Sequence, residues 1–238
     1  MKNLRQSVIM IAVSLLLSVN VFATDSGGNS VYIDQTNADN SSVSITQTGS
    51  GNQVGDPTSL LTPQFVIDGN AMNLTIQQDG MNNSIVGTFV GGDSTATITQ
   101  TGNGNSLILN QGNFGTGSGT LALTYTGDNN THTLNMGTTS NASNYNYSLT
   151  AVGNSNIITS NINSTYTVNN ITITGSSNTL TTTQIGAGGS ATTNGHYINT
   201  SIIGNSNSVA ITQDGITRPN QVTLNVTGNN TSTAIIQH

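Results

Sequence analysis

The stretch Ser94–Gln111 constrains the chain more than any other feature. Apolar residues alternate with small polar ones through Ala96, Ile98 and Gln100. Gly102 and Asn105 follow, and the alternation resumes through Leu107, Leu109 and Gln111. Residues two apart share one face of a strand, so two short strands are separated by a Gly/Asn turn. The pattern apolar-x-apolar-x-Gln-x-Gly-x-x-Asn recurs along the chain. Val31, Ile33, Gln35 and Asn40 return twelve positions later as Val43, Ile45, Gln47 and Asn52, with Asn37 becoming Gly49. Leu74, Ile76, Gln78, Gly80 and Asn83 keep the same offsets, as do Leu121, Leu123, Tyr125, Gly127 and Asn130. A short fixed period is the signature of a repeat architecture.

The later units keep the spacing and lose the glutamine. Tyr147, Leu149, Ala151, Gly153 and Asn156 fit it, then Asn169, Ile171, Ile173, Gly175 and Asn178, then Leu180, Thr182, Gln184 and Gly186. Ile198, Thr200, Ile202, Gly204 and Asn207 follow. Val209, Ile211, Gln213 and Gly215 come next, then Val222, Leu224, Val226 and Gly228, with Thr233, Ile235 and Gln237 last. The expectation is an all-β chain: a β-solenoid of stacked strand-turn-strand repeats with amyloid-like cross-β spacing, roughly eight two-strand rungs in one domain over residues 24–238. Apolar residues and glutamines point into a thin seam while Ser, Thr and Asn point out. Rungs stacked about 4.8 Å apart place equivalent side chains above one another.

Stacking gives the amides a purpose, because each carboxamide in a column donates to one neighbour and accepts from the other. The expected ladder residues are Gln35, Gln47, Gln78, Gln100, Gln111, Gln184, Gln213 and Gln237, with Asn40, Asn52, Asn83, Asn105, Asn130, Asn156, Asn178 and Asn207. The expected turn glycines are Gly49, Gly80, Gly102, Gly127, Gly153, Gly175, Gly204, Gly215 and Gly228. Charges stacked at this spacing would repel. That accounts for only 5% charged residues and predicts that Asp39, Asp79, Asp128 and Asp214 lie at turns or outward positions.

Two stretches break the pattern, and both contain proline, which cannot donate to a ladder. Residues 55–68, with Pro57 and Pro63, read as a loop inserted between rungs, and Thr217-Arg218-Pro219 as a turn. Gly112–Gly119 and Gly186–Gly195 read as longer turns.

Lys2 and Arg5 precede an apolar run from Val8 to Val19 that ends in Val21-Phe22-Ala23. Residues 1–23 are therefore read as a cleaved secretory signal, with the mature chain starting near Thr24 and exported from the cell. Removal of that segment leaves Arg218 (+1) against nine aspartates (−9), net −8. Nucleic acid is excluded as a partner on this ground, since phosphate contacts need clustered Lys or Arg. With no cysteine, disulfides cannot hold the fold, and 33% hydrophobic residues make a conventional core improbable at this length.

Chemistry is sparse. Catalysis is not expected, since glutamate and cysteine are absent and no His lies beside a matching acid in sequence; a polysaccharide-degrading β-helix would need aspartates clustered on one face. His132, His196 and His238 lack paired ligand spacing and read as surface or turn residues; no metal or cofactor is expected. Asp93 after Gly91-Gly92 is not followed by the repeating Gly/Asp pattern of a calcium turn. Tyr145 and Tyr147 share one strand face, where an aromatic patch and core packing are both open readings. Thr172-x-Thr174 and Thr181-Thr182-Thr183 suggest an ice-binding face, but such a face needs Thr-x-Thr on nearly every rung and most rungs lack it.

At Ser94, Gln100, Gly102, Gly104, Asn105 and Gln111 the sequence resembles the curlin repeat, Ser-x5-Gln-x-Gly-x-Gly-Asn-x-Ala-x3-Gln, with Leu107 in place of Ala. Ser41, Gln47, Gly49, Gly51 and Asn52 match its first half; Asn207, Val209 and Gln213 match its second. The resemblance implies a self-assembling subunit of an extracellular curli-like amyloid fibre, or pilus, on the bacterial surface, serving adhesion and biofilm matrix. It implies passage through an outer-membrane secretion pore, a nucleator or chaperone, and partnership with itself and other curlin-like subunits. Tyr125, Met136, Ala151, Ile173, Ile202 and Val226 depart from the family's glutamines. The repeats run to Gln237 with nothing resembling a cap, and an open solenoid end accepts another copy. The alternative is a monomeric secreted β-solenoid adhesin or sugar-binding module.

Overall fold

A computed structural model describes residues 7–13, 19–24, 27–37, 40–56, 65–69, 71–90, 94–111, 119–137, 145–186, 195–215 and 219–238. Its strands, in chain order, begin with β1 (Ser7–Val13), β2 (Val19–Thr24), β3 (Ser30–Thr36), β4 (Ser42–Ser50) and β5 (Gln53–Val54). Next come β6 (Phe65–Asp68), β7 (Asn73–Met81), β8 (Ser84–Val90), β9 (Ser94–Gln100) and β10 (Ser106–Gln111). The middle holds β11 (Gly119–Thr120), β12 (Thr131–Met136), β13 (Tyr145–Ser148), β14 (Ile157–Asn163) and β15 (Val168–Thr174). The last are β16 (Thr179–Gly186), β17 (Tyr197–Ile203), β18 (Ser208–Gly215), β19 (Gln221–Thr227) and β20 (Ser232–Gln237). Among the described residues there is no helix.

The strands divide alternately between two sheets. The first runs β1-β4-β7-β9-β11-β13-β15-β17-β19, and the second β2-β3-β5-β8-β10-β12-β14-β16-β18-β20, with β6 beside β3 and β8. From β3 onward every pairing is parallel, so the roughly eight expected rungs stack as a β-solenoid of about seven turns. Each layer is a first-sheet strand, a Gly-x-x-Asn turn (Gly-x-x-Thr in the last) and a second-sheet strand. The connection from the second sheet back to the first leads into the next layer.

Alternation sets the core. In β4 the burial alternates so that Val43, Ile45 and Gln47 lie inside, and Leu74, Ile76 and Gln78 of β7 stack upon them in register. The same holds at the far end, where Val209, Ile211 and Gln213 of β18 align with Thr233, Ile235 and Gln237 of β20. The buried apolar residues form one continuous cluster along the axis. At about 25 cal/mol per Å2 of apolar surface, this seam supplies the main drive for stacking, with the backbone ladders setting direction and spacing.

One expectation is corrected. Residues 55–68 are not wholly a loop between rungs: Phe65–Asp68 is a strand in register with Ile33–Thr36 of β3 and with β8, and Phe65 and Ile67 are buried. Together, β5 and β6 occupy one strand position, so the insertion interrupts a strand; residues 57–64 lie outside the described residues. The run Phe65-Val66-Ile67, one aromatic and two β-branched residues of high strand preference, outweighs the prolines before it. In the full chain, β1 and β2, which lie almost wholly within the segment read as a leader, pair antiparallel with β4 and β3. Thr217-Arg218, Asp39, Asp93 and most of the two glycine-bounded turns fall outside the described residues.

Candidate functional site

The expected glutamine column is two columns, one per sheet. In the first sheet Gln47 Nε2 donates to Gln78 Oε1 at 2.7 Å, and Gln78 Nε2 to Gln100 Oε1 at 2.8 Å. Each of these three amides also donates across the seam to a backbone carbonyl, of Ser30, Gln53 and Ser84 respectively. The column then turns apolar through Ile173, Ile202 and Val226. In the second sheet Gln184 Nε2 donates to Gln213 Oε1 at 3.0 Å, and Gln213 Nε2 to Gln237 Oε1 at 3.1 Å. Gln35 stacks on Ile67, so that glutamine is outside both ladders. Gln111 aligns with Met136, and its side chain lies outside the described residues.

The asparagine ladder is longer. Asn52, Asn83, Asn105, Asn130, Asn156, Asn178 and Asn207 are all buried at one turn of the solenoid. Each Oδ1 from Asn52 to Asn178 accepts the backbone N–H of the next asparagine at 3.0 Å. Side-chain Nδ2 groups reinforce these steps from Asn52 through Asn178. Further Nδ2 bonds satisfy the glycine carbonyls of the turn above, as from Asn52 to Gly80 and from Asn178 to Gly204. Asn29, not Asn40, begins the column, with its Oδ1 accepting from Asn52 N at 2.9 Å. Asn40 is exposed, with φ at 56°, because β3 leads back to the first sheet through the other kind of turn. Thr231 replaces the asparagine in the last layer.

A third ladder, which sequence reasoning missed, runs the opposite way on the outside of the same turn. Backbone N–H groups of Asn103, Asp128, Asn154, Ser176 and Asn205 bond to side-chain oxygens of Asp128, Asn154, Ser176, Asn205 and Asn229. The signal was present as the Asn, Asp or Ser directly after Gly102, Gly127, Gly153, Gly175, Gly204 and Gly228; Met81, after Gly80, supplies only its N–H, to Asn103 Oδ1. Those glycines stack closely: a Cβ on Gly80, at φ 110°, would lie 1.9 Å from the Gly102 carbonyl oxygen. Gly204 meets the Gly228 oxygen at the same distance. Gly49, Gly102, Gly127, Gly153 and Gly175 share this column, whereas Gly215 pairs with Gly186 at the far end of β18.

The histidines are corrected too. His132 and His196 are buried, not at the surface. His132 takes an inward position between Leu107 and Ile158, where tyrosine hydroxyls meet both ring nitrogens: Tyr125 at Nδ1, 2.5 Å, and Tyr147 at Nε2, 3.3 Å. Tyr147 also bonds Ser160 Oγ at 2.7 Å. Burial lowers the His132 pKa to about 3 and raises those of both tyrosines, so the network is neutral. In His196, Nδ1 accepts from Asn220 N and Nε2 donates to the Ile185 carbonyl. Tyr147 belongs to the core, and among the described residues no three metal-binding side chains converge. His238 is exposed. The two threonine tracts do not share a face, because Thr172 and Thr174 face outward from the first sheet, Thr181 and Thr183 from the second, and Thr182 is buried.

The protein is thus a two-sheet parallel β-solenoid whose interior is held by stacked amides. No protein-family model, curated protein or solved structure matches the chain.

Proposed function

We propose that the chain is a secreted, self-assembling structural subunit of an extracellular curli-like amyloid fibre at a bacterial surface, serving adhesion and biofilm matrix. One observation carries this reading: the parallel, in-register stack reaches β19 and β20, each of which has a neighbouring strand on one side only among the described residues. That edge offers unpaired backbone groups, with Leu224 and Ile235 only partly buried. The Gln213–Gln237 step brings an amide ladder to the same edge. A second chain would extend both the backbone and the amide columns at the internal spacing. Partners in the reading are further copies, other curlin-like subunits, an outer-membrane secretion pore and a nucleator or chaperone.

A monomeric solenoid adhesin or sugar-binding module is the second reading, favoured by Thr231, which ends the asparagine ladder as a terminal layer would. Dilution of residues 24–238 from denaturant at several concentrations separates the two. Seedable, concentration-dependent thioflavin fluorescence with a meridional reflection near about 4.7 Å supports the fibre. A soluble monomer with stable β-structure selects the adhesin.

A further inference from the structure

The two ends of the solenoid differ. Asn52 N bonds to Asn29 Oδ1, which puts the β3 strand one layer before β4 and β5. The N-terminal end is therefore a step: β3 projects in the second sheet with no mate beside it in the first, while β19 and β20 end level. Residues 7–13 take the place beside β3 in the first sheet, and residues 19–24 cover the outer edge of β3 in the second. Ser7–Val13 pairs with Val43–Gly49 over seven residues, at the level of β3, and Val19–Thr24 pairs with Ser30–Gln35 over six. Both pairings are antiparallel, unlike every junction from β3 onward.

From this geometry we infer that the N-terminal segment is an intramolecular cap on the growth edge formed by β3 and β4, and that its removal makes the end competent to accept another copy. The inference rests on the fibre reading and on cleavage near Thr24. The physical argument has two parts. The free edges of β3 and β4 each have one set of outward N–H and C=O groups, and a strand bound there excludes any other. An added copy propagates the stack only if it continues the parallel register, and an antiparallel strand ends that register because its hydrogen bonds are spaced differently. A chain that retains residues 1–23 keeps one usable end, through β19 and β20, and one covered end. It can join a fibre, but it leaves a covered edge behind and stops growth there.

Seeded growth of the full chain, 1–238, compared with 24–238, tests this. The full chain should elongate seeds at least about tenfold more slowly, as expected for a covered edge. Added at a small fraction of the concentration of 24–238, it should slow that chain's growth. Proline at both Met10 and Ile11 removes a ladder N–H whichever residue carries it, and should restore growth to the full chain. Equal growth of 1–238 and 24–238, or no effect of the prolines, overturns the cap. If 24–238 does not polymerise, the fibre reading fails by itself, and hydrogen exchange decides the contact. Alternate amides of β3 and β4 should exchange slowly in 1–238 and rapidly in 24–238, and unchanged exchange overturns the cap.

Discussion

Replacing Asn105 by alanine isolates the contribution of one ladder position. Asn105 Nδ2 donates to Asn83 Oδ1 at 3.0 Å and to the Thr101 carbonyl at 2.8 Å. Its Oδ1 accepts both the backbone N–H and Nδ2 of Asn130, each at 3.0 Å. Alanine removes all four bonds and leaves two Asn130 donors against a methyl group, at a residue with no solvent exposure. An orphaned buried donor costs about 1–3 kcal/mol, so two of them place the loss at about 2–6 kcal/mol. Few single substitutions reach that size. Asn199, exposed on the outer face of β17, is the control, and its replacement should change stability by less than about 0.5 kcal/mol. Urea unfolding of dilute 24–238, followed by circular dichroism, gives the global loss. Exchange at the Asn130 amide gives the local one, needed because repeat arrays open in parts. A loss for Asn105→Ala below about 1 kcal/mol, with Asn130 exchange unchanged, would refute the account of the ladder as buried and mutually dependent.

Three further predictions follow from the same geometry. His132 is held neutral with a folded pKa of about 3, below the unfolded value, so the unfolded chain binds the extra proton between about pH 6.5 and 3 and stability falls with acidification across that window. The effect is on the order of 4 kcal/mol at the acid end, and His132→Gln should flatten the slope of urea midpoint against pH; an unchanged slope contradicts it. Gly204→Ala should prevent stacking of the last layers, because its Cβ would strike the Gly228 carbonyl, whereas Gly228→Ala meets nothing nearer than Thr231 Oγ1 at 3.9 Å and carries only backbone strain. Equal thermal stabilities for those two variants would count against the close-stacking argument. Gln213→Ala removes the link between Gln184 and Gln237 and should slow thioflavin-detected assembly more than Gln35→Ala, whose residue stacks on Ile67; the reverse order would remove the second-sheet ladder from the assembly mechanism.

Local pattern in the sequence is enough to specify strands, turns and inward faces. Alternation of Val43, Ile45 and Gln47, or of Leu180, Thr182 and Gln184, decides which side chains are buried, since a one-residue slip would turn every one of them outward. Glycine and asparagine at fixed offsets likewise determine the turns, and the near absence of charge is required by any column of identical residues. What the sequence alone leaves open is which half-units stack. All of them carry nearly the same pattern, and a twelve-residue shift relates neighbours along the chain that end up in opposite sheets. Only the tertiary structure decides that Gln47, Gln78 and Gln100 are contiguous while Gln35 is isolated, because each stacks on the next strand of its own sheet. The same assembly puts His132 between two tyrosines distant in register, gives Asn29 the ladder position expected of Asn40, and makes a core strand of Phe65–Asp68. These depend on long-range backbone pairing, which adds a partner to every residue of a strand at once and outweighs the preference of any single residue.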